Sequence, residues 1–133
     1  MKTITIMTAG KHAWGTVTRA AAMKLFAELV AKEESGDQMV GEFVKSNTQV
    51  DYLRAERPNA SHVLENFKYN HIVGEITADL RILPTAHGTQ LAKFLEQAPE
   101  RIEFIPVYVY DDTSPDEAIK NLEFITVNAV KTK

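Results

Sequence analysis

Cysteine is absent from this 133-residue chain. Disulfides, thiolate nucleophiles and cysteine-based zinc sites are therefore excluded. That leaves the compartment open, although a small secreted domain more often carries disulfides. No apolar run approaches ~18 residues, so no membrane span is expected. The opening MKTITIMTAG is too short and too polar for a signal peptide and reads as a first strand. A basic excess is also missing: 15 Lys and Arg stand against 18 Asp and Glu, a net charge of -3. Phosphate contacts supply most of a duplex binder's affinity, so nucleic acid is disfavoured as a partner. Neither an internal repeat, a low-complexity tract nor a shift in composition marks a second domain. At 44% hydrophobic, residues 1–133 suit one domain with a sizeable core.

The most informative stretch is Asn70 to Gln97. From Ile72 to Ile82, apolar Ile72, Ile76, Ala78, Leu80 and Ile82 alternate with Glu75, Thr77, Asp79 and Arg81. A period of two predicts a strand with one buried face. Pro84 ends it, and Thr85 is placed to cap a helix by accepting from free backbone N–H groups. Leu91, Phe94, Leu95 and Ala98 recur at helical spacing. This apolar stripe is the expected cover for the strand's buried face, and Pro99 closes the helical region.

Elsewhere the chain reads as follows. Residues 2 to 8 form a β-branched strand. Gly10 to Gly15 is a loop. Ala20 to Lys32 is a helix with the stripe Ala22, Leu25, Phe26 and Leu29, capped by Thr16 or Thr18 and stopped at Gly36. Met39 to Val44 is a short strand. Ser46 to Pro58 is irregular. Ser61 to Tyr69 is a strand pairing with 71–83 through a tight turn at Asn70. Arg101 to Tyr110 is apolar on both faces, which suggests a central strand, whereas Pro106 argues for an edge or a bulge. Asp111 to Glu117 is a charged loop, Leu122 to Val130 the last strand, and Lys131 to Lys133 a tail. The fold class is α+β: a single domain with a mixed, mostly antiparallel sheet or partly open barrel of about six strands and two main helices.

Candidate chemistry is sparse. His12, His62, His71 and His87 show no metal-ligand spacing, so no metal site is assigned. Gly10-Lys11 lacks the spacing of a phosphate loop, and no cofactor is expected. Ser61 and His62 are neighbours on a strand and should point to opposite faces, so they should not form a nucleophile–base pair. Glu42, Glu75 and Asp79 lie on or near strands. Glu75 and Asp79 share a face, read as solvated. Trp14 lies in a loop, where it either folds back on the core or anchors an interface. No catalytic, cofactor-binding or metal residue is assigned.

The order and spacing of Gly41-Glu42-Phe43, Ala60-Ser61-His62-Val63-Leu64, Gly74-Glu75-Ile76, Ile82-Leu83-Pro84-Thr85-Ala86-His87-Gly88 and Leu122 to Val130 carry a resemblance. Together they resemble the prohead (capsid maturation) protease family of tailed bacteriophages, related to herpesvirus assemblin. In that family a Gly-Glu-Leu-Asp-His-Pro segment precedes a Ser-His-Val-Ile-like segment. A strand with Tyr-Gly near its start, a Thr-Pro-x-Gly turn and a helix come next, then a strand with Gly-x-Ser-Ser-Arg-Gly and a final pairing strand. The resemblance covers about 16 to 130, with Thr89 to Gln97 as the helix. Two departures matter. The family's first catalytic histidine follows its Gly-Glu-Leu, whereas this chain reads Gly41-Glu42-Phe43-Val44-Lys45-Ser46. The family's serine should fall near Ile105-Pro106, and Glu103 to Tyr108 holds no serine. Of the histidine pair, only His62 remains.

The resemblance therefore implies a relative without the covalent route to acyl transfer, which needs nucleophile and base together. Fold does not fix function. The expected role is a non-catalytic phage protein, capsid-associated or a head-assembly accessory, in the host cytoplasm or the virion. Its expected partners are capsid, scaffold or protease subunits, with homo-oligomers allowed and no membrane. One alternative is a phage regulator that binds a host protein. Another is a divergent serine-type endopeptidase using His62.

Overall fold

The computed structural model describes residues 2–44, 60–111, 118–119 and 121–131. The elements in chain order are β1 (Lys2–Thr8), β2 (Gly10–His12), β3 (Gly15–Val17), α1 (Arg19–Glu34), β4 (Met39–Val44), β5 (Ala60–Asn70), β6 (Glu75–Ile82), α2 (Ala86–Gln97), a 3-10 turn (Pro99–Arg101), β7 (Ile102–Val109) and β8 (Glu123–Lys131). Six strands form one sheet in the order β1-β6-β5-β4-β8-β7, and β2 and β3 form a separate hairpin. All pairs in the six-stranded sheet are antiparallel except β4–β8. The sheet curls into a nearly closed barrel. Its end strands β1 and β7 meet where the Tyr108 hydroxyl donates to the Ile6 carbonyl, with no ladder between them among the described residues. The α+β reading, with its partly open barrel and two helices, holds.

β7 is an edge strand, which reconciles its apolar faces with Pro106. An edge strand has one ladder to disrupt rather than two. Its inner face packs Phe104 and Tyr108 against the core, while Val109 stays exposed. The other edge, β1, is interrupted by a bulge at Ile6, since Thr5 pairs with Thr77 and Met7 with Ile76. A proline on one edge and a bulge on the other blunt both against strand addition.

The helices are capped by threonine. Thr18 Oγ1 accepts from Ala21 N at 3.0 Å, and Thr85 Oγ1 from Gly88 N at 2.9 Å. Gly36, at φ +85°, follows the C-cap Ser35 and stops α1. The expected cover for β6 is corrected. α1, through Ala22, Leu25 and Leu29, joins the core cluster with Ile76, Ala78 and Leu80. Leu91 of α2 is buried outside that cluster, and Phe94 meets Phe43 edge-on at 5.5 Å. Both helices carry an apolar stripe, so periodicity alone did not assign the cover.

The long strand is also shorter than its alternation. Residues 71–74 form a turn with Gly74 at φ +69°, and Ile72 and Val73 project into water. α2 begins at Ala86, three residues before Thr89, because the Thr85 cap starts it there. The irregular reading of Ser46 to Pro58 lies outside the described residues, as does the charged loop beyond Asp111 through Glu117. Lys131 belongs to β8 rather than to a tail.

Candidate functional site

Four of the five segments that carry the family resemblance converge on one buried polar cluster; Gly74-Glu75-Ile76 lies apart, at the β5–β6 turn. The cluster originates in a bulge in β5. Gly41 pairs with His62 but Glu42 pairs with Ala60, so Ser61 is an extra residue on that strand. A bulge disrupts alternation and re-aims side chains. Ser61 and His62 therefore come together instead of pointing apart: Ser61 Oγ lies 2.7 Å from His62 Nδ1. The expectation that the two could not meet is corrected on this ground.

His62 Nε2 lies 2.6 Å from the Val127 carbonyl, which can only accept. Nε2 therefore carries the proton, and Nδ1 is bare and accepts from the Ser61 hydroxyl. The Gly41 carbonyl, at 3.4 Å, is a second and longer acceptor for that hydroxyl. The imidazole passes over Gly41 to reach β8. A Cβ at position 41 would sit 2.2 Å from both His62 Nε2 and the Val127 oxygen. Only a residue without a side chain allows the crossing.

Three successive residues of β8 take part. Thr126 Oγ1 donates to the Val40 carbonyl at 2.7 Å, Val127 O accepts from His62, and Asn128 Oδ1 accepts from Glu42 N at 3.1 Å. The parallel ladder joins β4 and β8 at Phe43–Ala129 and Val44–Val130. Upstream of it, side chains supply the links. The cluster thus continues the β4–β8 seam where the described register contains no backbone pairs. Thr126 and Asn128 were not singled out in the sequence. Their signal was two polar residues at spacing two inside the apolar run from Phe124 to Val130.

On the other side of β5, the Ser61 carbonyl accepts from Leu83 N at 3.0 Å, and Thr85 Oγ1 donates to the Ala60 carbonyl at 2.5 Å. Gly88 lets the first turn of α2 close on this corner. A Cβ there would fall 1.9 Å from the Leu83 oxygen and 2.9 Å from the Ser61 oxygen.

Ser61 and His62 are both 0% exposed. Burial holds the His62 pKa below its ordinary 6.5, and the Val127 bond opposes this only in part. The imidazole is therefore neutral at pH 7. A hydroxyl bonded to a bare imidazole nitrogen is the local geometry of an activated nucleophile. Among the described residues, its surroundings differ from an acyl-transfer site in two respects. The orienting partner is a neutral carbonyl rather than a carboxylate. The neighbouring donors Leu83 N and Gly88 N are already bonded to Ser61 O and Thr85 Oγ1.

The other residues noted in the sequence lie apart. His12 Nε2 donates to the Thr8 carbonyl at 2.8 Å and stacks on Trp14 at 4.7 Å. Trp14 folds back on the barrel, stacked against Tyr108 at 5.5 Å and near Tyr110 at 5.0 Å. His71 is exposed in the β5–β6 turn, and His87 is half-buried in the first turn of α2. Asp79 lies on the outer side of the sheet. Hydrogen bonds from Thr3 and then Asn66 hold its carboxyl below the usual range. Among the described residues, no helix is long and apolar enough to cross a membrane.

No protein-family model matches the chain, and no curated protein matches it in sequence. Among solved structures, the fold is similar to that of the bacteriophage T4 capsid assembly protease, gp21. The TM-score is 0.70 at 12% identity, covering 98% of this chain and 81% of that one. At that identity the likeness shows the fold, not the chemistry.

Proposed function

We propose that this chain is a non-catalytic phage protein that serves capsid assembly on a prohead-protease-like fold. The observation that carries the reading is the burial of the Ser61–His62 pair, whose imidazole is committed to the Val127 carbonyl. The segment expected to bear the family's serine supports it. That segment is the edge strand β7, with Pro106 in its middle and no serine. The likeness to a phage capsid assembly protease supports the setting. Partners follow by analogy as capsid, scaffold or protease subunits.

The test is recovery of the tagged full chain from phage-infected cells, with bound proteins identified by mass spectrometry. The assembly reading expects capsid, scaffold or protease subunits. Recovery of one host protein alone overturns it in favour of a host-directed regulator. A second reading, a divergent serine hydrolase, draws on the 2.7 Å Ser61–His62 contact. It requires Ser61 to become accessible, so labelling by a serine-directed phosphonate separates the two.

A further inference from the structure

The strands of the barrel are not joined with equal strength all round. β5–β6 and β7–β8 are antiparallel ladders that run along most of their strands. The parallel β4–β8 register holds Phe43–Ala129 and Val44–Val130. Toward the start of β4, three side-chain bonds stand in for a ladder: Thr126 to Val40, His62 to Val127, and Glu42 N to Asn128. His62 supplies the middle one. Its ring comes from a third strand, β5, and crosses Gly41 to reach β8.

That middle link depends on the protonation of the ring. The neutral imidazole donates once, from Nε2 to Val127 O at 2.6 Å, and accepts once, at Nδ1 from Ser61 Oγ at 2.7 Å. A proton added at Nδ1 makes both nitrogens donors. The Ser61 hydroxyl must then turn, accept from Nδ1 and donate to the Gly41 carbonyl. At 3.4 Å that carbonyl lies beyond a good O–H···O distance.

The proton also brings a full charge to a side chain that is 0% exposed. Both of its bonded partners, a hydroxyl and a carbonyl, are uncharged. Of the titratable groups on the surrounding elements, Glu42 follows Gly41 on β4, His87 lies in the first turn of α2, and Lys131 ends β8. Arg81, beside the register partner Ile82 on β6, is bonded to Glu65 of β5 at 2.6 Å. Phe104 of β7 meets the imidazole edge-on at 6.4 Å, with the Lys2 ammonium over its ring and the exposed Glu103 beside it. None of these groups is bonded to the imidazole, whose two nitrogens are both taken. A buried charge without a bonded counter-charge is strongly unfavourable. Desolvation is accordingly the main cause of the lowered His62 pKa. The charged ring gains water at least cost by parting the join with the fewest backbone bonds.

We propose that protonation of His62 parts β4 from β8, making the parallel seam an acid-sensitive joint in a barrel whose other ladders stay closed. The opening is local and distinct from unfolding of the whole domain.

Amide hydrogen exchange of the full chain, resolved by NMR and corrected for the intrinsic pH dependence of exchange, tests it. The Glu42 amide donates across the seam to Asn128 and is the reporter. Its exchange should rise about 10- to 25-fold between pH 7 and pH 5, the range set by proton uptake in an open state with the ordinary histidine pKa. In the wild type alone, the rise should begin near pH 6.5, the ordinary histidine value, while the β5–β6 ladder keeps its protection. His62→Gln retains a donor for Val127 O but cannot titrate, and should abolish the rise. His87→Gln should leave it intact. A Glu42 rate that does not rise, a rise shared equally by the β5–β6 ladder, or a rise that persists in folded His62→Gln overturns the proposal.

Discussion

His62 links β5 to β8 through the Val127 carbonyl. Burial lowers its pKa, so the folded state binds protons less readily than the unfolded chain. Stability is therefore full above the unfolded value near 6.5 and declines as pH falls below it. Urea titrations of the wild type should show this loss below pH 6.5, and His62→Gln should lack the His62 share of it. Ser61→Ala leaves Nδ1 buried without its donor and should cost about 1–3 kcal/mol. Gly41→Ala drives a methyl group into His62 and the Val127 carbonyl. About 3 kcal/mol of destabilisation is expected, read from the urea midpoint. His62 was legible in the sequence through Ala60-Ser61-His62-Val63-Leu64. Its contact with Ser61 was not, because alternation assumes a regular ladder and the bulge breaks that ladder at Ser61.

At the scale of elements, threonine caps and one glycine hold α2 against the corner of β5. Thr85 both caps the helix and donates to the Ala60 carbonyl. Thr85→Ala should therefore destabilise by about 1–2 kcal/mol, toward the upper end for a cap, measured by thermal or urea unfolding. The caps, the Pro84 stop and the alternation of β6 are local signals, and each was readable. Which helix covers β6 was not, since Leu25 and Leu29 of α1 and Leu91 of α2 sit at equally helical spacing. Nor was the end of the 72–82 alternation. Ile72 and Val73 fit a strand by residue type, but the turn at Gly74 and the Arg19 guanidinium, bonded to the His71 and Ile72 carbonyls, take them out of the sheet. Arg19→Ala should raise amide hydrogen exchange at residues 71–74 while leaving β6 protected.

For the whole molecule, the sheet order is the part least visible in sequence. The parallel β4–β8 contact joins segments far apart in the chain, and local periodicity carries no trace of it. The ordered motifs nevertheless pointed to the right architecture, because the residues that seal this seam, Gly41 and His62, lie within them. The barrel closes through side chains at β1 and β7, where Tyr108 bonds to Ile6 and Trp14 lies against Tyr108. Tyr108→Phe should loosen that junction at a cost of about 1 kcal/mol. The proposed non-catalytic role treats the serine–histidine pair as a link between strands. Intact-mass spectrometry of the folded full chain after exposure to a fluorophosphonate tests this most directly. An unmodified mass is expected for the wild type, Ser61→Ala and His62→Gln alike. A single adduct on Ser61 of the wild type, lost in His62→Gln, would contradict it and return the chain to the serine hydrolases.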